Sequence, residues 1–323
     1  MIVGLGLAGC FRSEPKPAAQ PPRADGPAVA IRFQTDWYPQ PEHGGFYQAL
    51  ARGFYAEVGL DVTILPGGPG ARTSQRLAAG AADMGIHRSD DLMVQAGQGL
   101  PFVIVGAFMQ RDPQALLLHA SDPVRDFADL DGRTIMAMPG TTWVAYLQRR
   151  FNITFNVVPM SYSLAQFIGD PRLIQQCFVT NEPYFLREHA VAARTLLLAE
   201  AGYEPYRAIF TTRRFLNEHP DAVAAFVQAS LRGWQEFIHG DATAGKALIR
   251  ERNPEMTEDF IDYSIAAMRE HRLFEGDPAR GEAPGQLRRE RLTAQAVMLV
   301  ELGILVTSPQ LDELVVAPGL QRD

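Results

Sequence analysis

From residue 30 to residue 211 the chain repeats one rhythm: a short apolar run, a turn, then a stretch whose apolar side chains recur every three to four positions. This alternation constrains the fold more than any other feature. Neighbouring parallel strands need a crossover, and a helix that buries one stripe on the sheet supplies it. Ala30–Thr35 reads as a strand, and His43–Val58 as a helix with Phe46, Ala49, Leu50 and Phe54 on one face. Leu60–Leu65 is the next strand, Thr73–Ala79 a short helix, Met84–His87 a strand, and Ser89 caps a helix running to Gln98. Pro101–Phe108 and Ala115–His119 are further strands. The fold class expected is α/β, with mostly parallel sheets.

A second unit opens at Asp129–Gly132, before the strand Thr134–Met138 and a helix from Gly140 to Arg150. Phe155–Val158, Ser163–Ile168, Gln176–Val179, Glu182–His189 and Arg194–Ala199 continue the strand and helix rhythm. After Ala208–Thr211 the pattern turns helical, over Asp221–His239, Ala242–Glu251, Glu258–Arg272 and Gln286–Leu302, with a surface loop at Phe274–Gly285. At the other end, Leu7-Ala8-Gly9-Cys10 follows a short apolar run and resembles a lipoprotein processing site, with Cys10 as the lipidation site. Residues 11–28 are rich in proline and poor in large apolar side chains, and read as a tether. What remains is longer than one core usually serves, so two lobes are expected: 29–115 plus 207–323, and 116–206.

Of 323 residues 46% are apolar and 21% charged, which is ordinary for a globular chain. The net charge of −7 comes without a basic block, and nucleic-acid binding needs a cationic footprint. No run of 18 apolar residues is present, so the only membrane association expected is by the lipid on Cys10. The seven histidines are scattered, no metal-ligand spacing or Gly-x-Ser-x-Gly occurs, and Cys177 has no activating partner in sequence. No catalytic residue, metal or cofactor is expected.

Several segments together resemble the NMT1/THI5-like periplasmic binding proteins that serve ABC importers. They are Asp36-Trp37-Tyr38-Pro39 and Glu42 to Ala49, Gly53 to Val62, Ala79 to Gly85, Asp129 to Ile135, and Asn181-Glu182-Pro183-Tyr184. The resemblance covers residues 30–240 and implies a two-lobed fold of the type II periplasmic-binding-protein kind, with a ligand cleft between the lobes. It also implies hinge closure recognised by a membrane permease. The Trp-x-Pro stretch followed by His43 and Tyr47 favours the branch that binds thiamine pyrimidine precursors. A monomeric, lipid-anchored protein on the extracytoplasmic face would then deliver a small planar heterocycle. Sulfonate, nitrate or a riboflavin-like ligand are the alternatives. The synthases of this family carry a cysteine cluster near Gln175–Phe178, where this chain keeps only Cys177.

The residues expected to bind follow from position. Trp37 lies just past the first strand, where α/β sheets present ligand loops, and its indole can stack on a flat ring. His43 stands at a helix start, as do Ser89 and Asp90 as polar contacts. Thr141 and Trp143 open the second unit's helix, with Trp143 as the wall opposite Trp37. Glu182 can accept two N–H bonds from an aminopyrimidine edge, with Tyr184 and Tyr206 of lower rank. Gly67–Gly70 with Arg72, or Arg88, is the anion-binding alternative.

Overall fold

The computed structural model describes residues 27–316 together with 320 and 321. Cys10 and the first part of the proline-rich segment lie outside the described residues. Ten of the twelve strands among the described residues run in chain order as β1 (Val29–Gln34), β2 (Leu60–Leu65), β3 (Met84–Arg88), β4 (Phe102–Met109), β5 (Gln114–His119), β6 (Thr134–Ala137), β7 (Asn156–Pro159), β8 (Ile174–Phe178), β9 (Ala193–Leu197) and β10 (Arg207–Thr212), the other two being a short pair at Leu287–Arg288 and Leu320–Gln321. The ten form two five-stranded sheets, ordered β2-β1-β3-β10-β4 and β7-β6-β8-β5-β9.

Each sheet holds one antiparallel strand. β10 runs against β3 and β4, and β5 runs against β8 and β9, while β1 pairs in parallel with β2 and β3, as β6 does with β7 and β8. Both reversed strands directly follow a crossing between the sheets, at residues 110–113 and 198–206. The chain is therefore α/β with two helix-flanked sheets, and two crossings join them.

Burial explains the strands. β4 (FVIVGAFM) and β5 (QALLLH), almost wholly apolar, are buried at every position, whereas β2 alternates and so keeps one face in water. β4 lies at a sheet edge, and the C-terminal segment covers it through bridges from Val315 to Ile104 and from Gly285 to Ala107. The long helix Pro220–His239 buries Val223, Phe226, Ser230, Trp234 and Phe237, one stripe at helical spacing. It meets the helix Gly44–Ala51 at glycines. A Cβ on Gly233 would fall 2.2 Å from the Gly45 carbonyl oxygen, and one on Gly45 would fall 2.1 Å from the Trp234 ring. Only glycine lets these backbones approach so closely.

One expected helix is broken. Instead of continuing from His43 to Val58, the chain makes a 3-10 turn at Pro41–His43, the helix Gly44–Ala51, and a separate turn of helix at Phe54–Glu57. Gly53, at φ 74°, supplies the left-handed residue that ends the first segment. Short helices at Arg213–Glu218 and Leu311–Leu314 were not anticipated from the sequence pattern. Among the described residues no helix is long and apolar enough to cross a membrane.

Candidate functional site

In the first sheet β1, β2 and β3 end on one edge, and in the second β7, β6 and β8 do the same. Loops from these two edges meet. The loop after β1 is pinned by the Thr35 hydroxyl, which donates to the Trp37 carbonyl at 3.1 Å, and by Gly67 N–H, which donates to the same carbonyl at 3.0 Å. A Cβ on Gly67 would lie 2.6 to 2.7 Å from backbone atoms of this loop, so glycine permits the approach. Asp36 then takes two partners: His43 Nε2 at 2.8 Å and Arg207 Nη2 at 2.5 Å. Burial alone would push the Asp36 carboxyl up, but the Arg207 guanidinium and His43 outweigh it and hold it well below the usual carboxylate range. His43 is fully buried, and its Nδ1 has no partner among the described residues.

Two carboxyl groups come together here from opposite sheets. Glu42, on the 3-10 turn before His43, is only 1% exposed. Its Oε1 accepts a hydrogen bond from the Thr180 hydroxyl, just past β8, while its Oε2 has no partner among the described residues. Burial pushes the Glu42 carboxyl up, against the Thr180 bond and the nearby His43 and Arg207. Glu182 accepts the Phe178 N–H at 2.8 Å. Burial pushes its carboxyl up to about 7; the Phe178 N–H opposes this and the charge of Glu42 adds to it.

Beside this pair two aromatic rings face each other across the sheets. The Trp37 and Tyr162 centroids are 5.6 Å apart, with planes tilted by 31°. Tyr162, in the loop after β7, is 52% exposed and sits at φ 56°, a left-handed conformation that a tyrosine rarely adopts.

The remaining sequence candidates are dispersed. Trp143 is not the wall opposite Trp37. It is fully buried in the core of the second sheet, 6.5 Å from Phe155 in a stacked arrangement, because the helix Thr142–Phe151 turns Trp143 and Leu147 inward together. Tyr162 occupies the position facing Trp37 instead. Tyr47 is also core, with the Arg252 guanidinium 5.5 Å over its ring. Ser89 is no helix cap; its hydroxyl donates to Gln295 Oε1 at 2.6 Å and accepts the Tyr206 N–H at 2.9 Å. Asp90 is fully buried, bonded by the Tyr203 hydroxyl and 3.3 Å from Arg88.

Tyr184 packs on Phe260 and Tyr263 of the helix Glu258–Glu270, so it cements that helix to the second sheet. Tyr206 is buried under Arg291 and accepts the Arg288 N–H. Thr141 does lie on the converging edge, since β6 runs between β7 and β8, and its buried hydroxyl has no partner among the described residues. Of the anion candidates, Arg88 is engaged by Asp91, Asp90 and Gln114, and Arg72 is exposed. Two cavities of about 420 and 390 Å³ share Glu204 and Arg280, and neither is lined by Trp37, Glu42 or Glu182.

Sequence reasoning brought Trp37, His43 and Glu182 to this place and missed Glu42, Tyr162 and Thr180. The available signals were an acid directly beside His43, a threonine directly after a strand, and an aromatic residue in the polar loop Ser161–Ser163.

A family model described as NMT1/THI5 like matches residues 40–244. The riboflavin-binding protein RibY of Chloroflexus aurantiacus is 25% identical over 74% of this chain and 72% of its own length. The formylaminopyrimidine-binding protein of Halalkalibacterium halodurans is 22% identical over 78% and 80%. A 4-amino-5-hydroxymethyl-2-methylpyrimidine phosphate synthase of Schizosaccharomyces pombe is 22% identical over 69% and 72%. Among solved structures, the periplasmic aliphatic sulphonate binding protein SsuA of Escherichia coli superposes with a TM-score of 0.65 at 15% identity, covering 91% of this chain and 94% of SsuA.

Proposed function

The chain belongs to the NMT1/THI5-like family, and from that premise we propose that it is the solute-binding component of an ABC importer, taking a small planar nitrogen heterocycle between its two lobes. The observation that carries this reading is the facing of Trp37 and Tyr162 from opposite sheets, beside the Glu42 and Glu182 carboxyls. Aromatic faces accept a flat ring, and carboxyl oxygens accept its N–H edge. Two relatives named for binding planar heterocycles, a flavin and a pyrimidine, support the same class. Of the cations a sulfonate or nitrate site would draw on, Arg207 and Arg88 are both held by aspartates, which leaves that reading the exposed Arg72.

The ligand is bound and released unchanged, although several relatives are named as synthases. Cys177, the one cysteine among the described residues, is buried in the core, and burial, reinforced by Glu182, pushes its thiol well above the usual range. A thiol of that kind is a small hydrophobe, not a nucleophile.

Calorimetry with an aminopyrimidine, a flavin fragment, taurine and nitrate tests the reading. A heterocycle should bind, mass spectrometry should return it intact, and Trp37→Ala should weaken it by about 1–3 kcal/mol, the range for stacking of a base on an aromatic side chain. Binding of anions alone, unaffected by Trp37→Ala, would overturn it.

The same reading places the protein outside the cytoplasmic membrane, as a monomer docking to a permease and anchored by a lipid on Cys10. Fractionation of cells expressing the Cys10→Ser precursor should then find it in the soluble fraction. Unchanged membrane association would sink the anchor.

A further inference from the structure

Glu42 carries more than the heterocycle reading requires. Its carboxyl is among the most buried polar groups of the chain and lies where the two sheets meet, yet only Oε1 is satisfied, by the Thr180 hydroxyl. Oε2 has no hydrogen-bond partner among the described residues. A buried, unsatisfied carboxyl oxygen is costly, and a ligand donor placed there recovers that cost. The cations that would balance it are committed. Arg207 donates to Asp36 and lies 3.9 Å from Asp112, while Arg88 is held by Asp90, Asp91 and Gln114. Beyond the Thr180 hydroxyl, the charged group facing Glu42 across the boundary is another acid, Glu182, whose carboxyl feels the charge of Glu42.

Resting on the heterocycle reading above, we infer that Glu42 sets the charge class of the ligand. Its free oxygen, with Glu182 on the opposite sheet, selects an edge that presents N–H donors and is neutral or positive. It rejects carboxylate, phosphate, sulfonate and nitrate groups, which bring like charge and no donor. Specificity of this kind is a difference between two affinities, so it is read as a ratio.

The measurement is calorimetry on the purified protein with 4-amino-2-methylpyrimidine and 2-methylpyrimidine-4-carboxylate, which share a ring and differ in donors and charge. Wild type should prefer the amine. Glu42→Gln keeps an acceptor for the Thr180 hydroxyl but loses the charge, and should shrink the amine-to-carboxylate preference by about 10- to 100-fold, the range for a hydrogen bond to a charged group. Should that variant not fold, Glu42→Asp reads the same ratio: charge is kept, so the preference must keep its sign, and its reversal overturns the inference.

An unchanged ratio in Glu42→Gln, with wild type still binding the amine, overturns the inference and leaves the heterocycle reading standing. Wild-type binding of taurine or nitrate, with neither pyrimidine bound, overturns both.

Discussion

Glu182 shows how one buried side chain links the site to stability. Burial raises its carboxyl to about 7, above the ordinary 4.5 of the unfolded chain. A group with a raised folded value favours the native state below its unfolded pKa, and that contribution is lost as pH rises through the folded value. The ligand-free protein should therefore lose up to roughly 3 kcal/mol at this residue between pH 4.5 and pH 8, since one pKa unit corresponds to about 1.4 kcal/mol. Asp36 and Asp91 act in the opposite sense, being held low against burial by arginines and histidines, and their losses fall below pH 4. Glu182→Gln still offers an oxygen to the Phe178 N–H, so its melting temperature should fall less steeply across the upper window than that of wild type. Parallel curves for the two proteins would show that Glu182 is not the titrating group.

At the scale of elements, the strands were legible and the packing was not. All ten strands of the two five-stranded sheets fall within two residues of the positions read from apolar runs bounded by glycine, proline and polar turns, while the short pair Leu287–Arg288 and Leu320–Gln321 carries no such pattern. Local patterning carries that information. The loop after β1 was legible for a related reason, because a tryptophan beyond a strand end lies on the edge where ligand loops sit. Trp143 looked equivalent, at a helix start beyond a strand, yet the helix phase buries it with Leu147. Which face of a short helix turns inward depends on the neighbours, here Phe155 and the second-sheet core.

Tyr184 depends on contacts with Phe260 and Tyr263, roughly 80 positions away, which no local pattern encodes. Tyr162 faces Trp37 only because its backbone takes a left-handed conformation, and sequence gave no sign of it beyond an aromatic residue in a polar loop. Glu42 carries little local signal, because its partner Thr180 lies 138 positions away, on the other sheet.

For the whole molecule, the proposed binding role implies that the two sheets, joined by two crossings, close on the ligand, and capture then depends on how much of the population is closed. The Thr180 hydroxyl on Glu42 and the Trp37 ring on Tyr162 are contacts made only when the two edges are together. The backbone at Val179 and Thr180 is held independently, with the Tyr263 hydroxyl donating to the Val179 carbonyl at 3.0 Å and the Ser264 hydroxyl to the Thr180 carbonyl at 2.8 Å. Thr180→Val thus removes one interlobe hydrogen bond and leaves the loop in place. If that bond only biases closure, the observed affinity is divided by the closed fraction's decrease, which is the same factor for every ligand. The expected loss is at most about tenfold, or about 1.4 kcal/mol, for both pyrimidines of the matched pair. Their ratio should stay at the wild-type value, in contrast to Glu42→Gln. A selective loss of the amine in Thr180→Val would instead make the threonine hydroxyl part of ligand recognition, and the division of labour between Glu42 as selector and Thr180 as latch would fail.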